Sequence, residues 1–127
     1  MKRVLLLVPT VLLFSMAEPV KPSKDLMVEV IDREGIEHNL RGMVCNGKDY
    51  LRVKEGNLDY TIPFDMIKHI SLLTQNGGLL ILQIEFVNNR KENVSINANT
   101  YCTSIWEFGK VGFYMRDIKD IFIKKEK

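Results

Sequence analysis

The chain has 127 residues, 46% of them hydrophobic and 27% charged, with 18 Lys and Arg against 16 Asp and Glu. That length suits one domain. The basic excess comes entirely from Lys2 and Arg3, so no clustered basic stripe of the kind nucleic-acid binding needs is present, and no nucleic-acid partner is expected.

Met1-Lys2-Arg3 opens the chain as a positively charged region, followed by an apolar run from Val4 to Met16. Ser15-Met16-Ala17 then places small residues where a signal peptidase inspects the chain. Residues 1–17 are therefore expected to be a signal peptide cleaved after Ala17, giving a secreted or periplasmic protein. An apolar run of about 13 residues is too short to span a bilayer, which takes roughly 20, so no membrane span is expected after cleavage. Residues 18–25, "EPVKPSKD", carry two prolines and read as a linker before a single β domain at 26–127.

From Leu26 onward the hydrophobic period is two almost everywhere. Leu26, Val28 and Val30 share one strand face, Asp32 to Gly35 turns, and Ile36 to Val44 returns. Asn46-Gly47 marks a tight turn. Leu51 and Val53 alternate with Arg52 and Lys54, and after Glu55-Gly56-Asn57 the chain alternates again through Leu58, Tyr60 and Ile62. Pro63 lacks a backbone donor, so its strand should end there or lie at an edge. A short helical turn is expected near 64–67, then a strand over "KHISLL". Asn76-Gly77-Gly78 turns into "LLILQIEFV", expected to be a central strand buried on both sides over its first half. Val94 and Ile96 form the next strand, Trp106 and Phe108 share a face of another, and Gly109 and Gly112 bracket a turn. A second helical turn is expected near 116–118 before the closing strand.

No stretch carries a helical period, and the regular turns predict an all-β protein, a small antiparallel sandwich or barrel-like fold. "YTIPFDMIKHISLL" and "GFYMRDIKDIFIK" echo each other at an offset of 51, as Ile67-Lys68-x-Ile70 against Ile118-Lys119-x-Ile121. "VEVID" at 28–32 is aligned with "IEFVN" at 84–88, and Cys45 with Cys102. The expected architecture is two pseudo-repeats, about 26–75 and 79–123, each a meander too small to stand alone, sharing one core. Asp65 and Asp117 are expected to cap the two short turns.

The closing pattern "SIWEFGKVGFYMRDIKDIFI" resembles small secreted bacterial all-β proteins of unknown function, and "IPFDMIKHISL" looks like the same element. Both are also similar to the closing strands of small Sm-like or SH3-like barrels. The resemblance implies a fold and no site residues.

Cys45 and Cys102 are the only cysteines. Export favours one disulfide between them, two buried thiols being the alternative. No Gly-rich phosphate loop, nucleophile elbow or metal-ligand spacing is present, so no cofactor and no metal are expected. His38 and His69 stand at alternating strand positions. Five of the aromatics fall within 101–114. Alternation turns Trp106, Phe108 and Phe113 inward as core, whereas Tyr101, Trp106 and Tyr114 are the candidate partner-binding residues if the patch is exposed. The first functional expectation is a non-catalytic module that binds a protein, peptide or glycan partner in the cell envelope. The second is a small secreted hydrolase using His38 or His69 with nearby carboxylates.

Overall fold

A computed structural model describes residues 20–126; the expected signal peptide lies outside them. The chain is all-β: β1 (Leu26–Asp32), β2 (Glu37–Cys45), β3 (Tyr50–Glu55), β4 (Leu58–Pro63), β5 (Ile67–Asn76), β6 (Leu79–Phe86), β7 (Lys91–Asn97), β8 (Tyr101–Trp106), β9 (Gly109–Tyr114) and β10 (Ile118–Lys125). Two 3-10 turns, Phe64–Met66 and Met115–Asp117, precede β5 and β10. No helix among the described residues is long and apolar enough to cross a membrane.

All ten strands form one curled antiparallel sheet in the order β4-β3-β7-β6-β5-β10-β1-β2-β8-β9. That order reads the same when each strand is exchanged for the one five places along and the list is reversed. The sheet therefore has a pseudo-twofold axis between β5 and β10, where Ile70 pairs with its own counterpart Ile121. This two-repeat architecture matches the expectation, but the repeats are not meanders. β3 and β4 leave the first repeat to pair with β7 of the second, and β8 and β9 return to pair with β2. Each repeat thus lends a hairpin to the other, and neither owns a complete half-sheet.

Pairing also corrects the alignment of the copies. Ile84 faces Ile70 in β6–β5, and Val30 faces Ile121 in β1–β10, so β1 and β2 match β6 and β7 at an offset of 54. "VEVID" therefore corresponds to residues 82–86. On β3 and β8 the offset is 51, so Cys102 is the counterpart of Leu51 and not of Cys45. The two cysteines meet for a different reason: β2 and β8 are neighbours, Cys45 lies opposite Cys102, and a disulfide joins them.

The concave face holds the core. Leu80, Leu82 and Ile84 of β6 have no exposed surface, and Phe64, Ile67, Ile70, Met43, Met115 and Ile121 are buried around them. Only one face of β6 is covered, however. Leu79 is 48% exposed and Ile81 half-buried, because a single sheet has nothing packed on its convex side. Pro63 both ends β4 and sits on an edge strand, as its missing N–H requires. The 3-10 turns are closed by backbone, Ile67 N–H to Phe64 and Ile118 N–H to Met115, with no side-chain cap. Asp65 and Asp117 consequently do not cap them; at an offset of 51 they are not even equivalent, since Asp117 matches Met66. Gly109 and Gly112 both lie within β9, the turn before it being Glu107-Phe108.

Residues 20–25 pack along β2. The Arg41 guanidinium donates to the Lys24 carbonyl at 3.2 Å and pairs with Glu126. Gly42, at φ +68, lets the arm approach: a Cβ there would collide with the backbone of Ser23 and with Pro22. The bulge in β2 between Arg41 and Val44 is satisfied by Ser104, whose hydroxyl donates to the carbonyls of Arg41 and Gly42.

Candidate functional site

The structure distributes the candidate residues over two faces. Tyr101 and Tyr114 are cross-strand neighbours on the convex side, with ring centroids 4.9 Å apart, edge to face. The Arg116 guanidinium covers the Tyr114 ring at 4.1 Å. Tyr101 lies over Gly112, whose missing side chain makes room for the phenol. Trp106, five residues along β8 from Tyr101, takes the parity of buried Cys102 and Ser104 and so belongs to the other face. It and Phe108 are not core. They are 45% and 76% exposed, and their rings meet at 5.2 Å beside the β8–β9 turn, where the sheet runs out. Alternation indicated the face correctly but not that the hairpin overhangs the core. Phe113, by contrast, packs against the core as expected.

Both histidines hold carboxylates. His69 Nε2 lies 2.8 Å from Asp120 Oδ1, and its ring stacks on Phe122 at 4.2 Å. At the offset of 51, His69 and Asp120 are counterparts on β5 and β10. His38 Nε2 lies 3.1 Å from Asp32 Oδ2. Asp32 Oδ1 also accepts the N–H groups of Glu34 and Ile36. The His38 bond first, then those backbone donors, holds the Asp32 carboxyl below the usual carboxylate range. On the convex face the Glu29 carboxyl is raised, chiefly by its hydrogen bond to Glu37. Among the described residues, no three His, Cys, Asp or Glu converge as metal ligands.

The main concavity was not expected from sequence. A groove of about 680 Å³ lies between β4, the first 3-10 turn and the β6–β7 turn. Its floor is Val53, Ile62 and Val94, and its walls are Tyr60, Met66, Phe86 and Val87, with Arg90 and Glu92 at the rim. Met66 is 52% exposed, Val87 58% and Tyr60 43%. The lining contains no His, Cys, Ser or Lys, hence no base paired with a nucleophile.

The pseudo-twofold axis supplies an internal control. At the twin position the backbone is the same: Val87 N–H donates to the Met66 carbonyl at 3.0 Å, and Arg33 N–H to the Asp117 carbonyl at 3.1 Å. Each turn also carries one left-handed residue, Asn89 at φ +72 and Gly35 at φ +85. The chemistry is opposite. Met66 corresponds to Asp117, Val87 to Arg33, and Phe86 to Asp32, whose carboxylate ties its own turn together. The fold builds this corner equally well from charged residues. The apolar lining of the groove is therefore not something the backbone demands.

Residues 22–126 match a family model described as uncharacterised protein. The chain is similar to an uncharacterized protein of Aquifex aeolicus (strain VF5), 32% identical over 116 residues, which is 89% of this chain and 88% of the relative. No solved structure matches.

Proposed function

The chain belongs to that family of uncharacterised proteins, whose description assigns no activity, and from the site itself we propose an exported, non-catalytic β module that holds an envelope partner in the β4 groove. One observation carries this reading: an exposed apolar lining at one of two otherwise equivalent corners. Exposed apolar surface that folding does not require is the usual mark of a binding site. Export is supported by the Lys2-Arg3, Val4–Met16 and Ala17 series, and the Cys45–Cys102 disulfide suits an oxidising compartment. A hydrolase built on His69 with Asp120, or His38 with Asp32, is the second reading, favoured by their short contacts. Neither histidine lines the groove, which is why binding is preferred.

The test transplants the twin corner. Met66→Asp with Val87→Arg installs the residues that the other half already tolerates, so melting temperature should stay within a few degrees. Crosslinking and pull-down from the native envelope fraction should lose the partner that the wild type recovers, at a cost of about 2 kcal/mol or more for a hot-spot cluster. The recovered chain should begin at Glu18 by intact mass. Unchanged recovery, with a histidine variant abolishing a turnover, would hand the case to the hydrolase.

A further inference from the structure

Beside the groove runs an unpaired sheet edge, and the two meet along β4. The β3–β4 hairpin closes on Gly56-Asn57, with Gly56 at φ +62 and Glu55 opposite Leu58. In such a two-residue hairpin the residue pairs alternate between bonded and non-bonded. Leu58, Tyr60 and Ile62 therefore spend their backbone groups on β3, while Asp59 and Thr61 turn theirs outward. β4 ends the sheet, and among the described residues no backbone group outside the hairpin bonds to it.

We propose that the groove receives an extended peptide, added to β4 as an eleventh strand, with apolar side chains in the groove and a Lys or Arg against Glu55. This rests on the binding reading above and names its partner class. An edge strand is a ready template for strand addition, and an added strand lies about 4.8 Å away with every second side chain on one face. That face meets Tyr60 and Ile62, with Met66 and Phe86 beyond.

The cation follows from the charges. Arg90 is engaged with Glu92 at 2.8 Å. Glu55, on the groove wall, has no cation within 4.0 Å among the described residues. Residues 55–66 hold Glu55, Asp59 and Asp65 and no basic residue. Lys54 and Arg52 lie on the opposite face of β3, alternating with buried Leu51 and Val53, and so do not neutralise the groove. A glycan offers neither a cation nor a strand backbone, whereas a basic, apolar peptide offers both.

The probes are synthetic peptides about eight residues long, a usual strand length, alternating Val or Leu with Thr and ending in Lys. Comparison peptides end in Glu, or carry N-methyl groups on alternate amides. The Lys peptide should bind and protect the Asp59 and Thr61 amides from hydrogen exchange. N-methylation should abolish that protection. Glu55→Gln should weaken the Lys peptide about threefold, as expected for one exposed ion pair, without affecting the Glu peptide. A Lys peptide that leaves both amides unprotected at millimolar concentration, or binding indifferent to N-methylation or to charge, overturns the proposal. If that happens while Met66→Asp with Val87→Arg still strips the native partner, the groove binds something other than a strand. If the transplant also has no effect, the groove reading falls with it.

Discussion

Replacing both Cys45 and Cys102 with Ala should cost the protein a large share of its stability, and the structure fixes the amount. Both residues are almost fully buried, at 3% and 0% exposure. Ala is the appropriate replacement because Ser would bury a hydroxyl. The bond closes a loop across a sequence separation of 57. On the chain-entropy relation such a loop removes about 14 cal/mol/K from the unfolded ensemble, or about 4 kcal/mol at 25 °C. Against a total of roughly 5–15 kcal/mol for a domain this is a large fraction. With about 2.1 cal/mol/K of unfolding entropy per residue over the described chain, the melting temperature should fall on the order of 15–20 °C. Urea titrations of oxidised wild type, reduced wild type and the double variant measure this directly. The cross-linked unfolded chain is more compact, so the slope with urea should rise when the bond is lost. The bond ties the end of β2 to the start of β8, so protection from hydrogen exchange should fall first in β8 and β9. Oxidised wild type and double variant agreeing within about 1 kcal/mol would refute the loop-closure account.

Gly42→Ala should destabilise by at least about 1–2 kcal/mol, because residue 42 is left-handed and the new Cβ would lie 2.7 Å from the Ser23 backbone nitrogen; a urea midpoint equal to wild type would show that the arm does not lie against β2. Asp32→Asn should lower stability at neutral pH. The folded Asp32 carboxyl lies below its ordinary value of 3.8, so its contribution is present above that value and fades as pH falls through the lowered folded one. Melting curves of variant and wild type should accordingly converge in strong acid, and a gap that persists there would count against the His38 and backbone bonds as its source.

The period of two along nearly every segment settled the fold class, since it leaves each strand one apolar face and offers no helix a stripe to bury. The turn dipeptides placed the hairpins, Pro63 marked an edge, and the echo around Ile67 and Ile118 announced a repeat. Local sequence carried those because each depends on residues a few places apart. It could not carry the exchange of hairpins. Asn46-Gly47 makes the same tight turn whether the next strand pairs with β2 or crosses to β7, and only competition between possible partners for the shared core decides. Everything that follows from the exchange was therefore hidden: the meeting of Cys45 with Cys102 from unmatched positions, the overhang that leaves Trp106 and Phe108 in solvent, and the separation of Trp106 from Tyr101 and Tyr114. The groove was hidden for the same reason. Its walls come from residues 53 to 94, and Met66 and Val87 read as ordinary apolar residues in the sequence. The tertiary structure gives them meaning by supplying a twin corner where Asp117 and Arg33 do the same structural work, because folding constrains the backbone there and leaves the side chains free for binding.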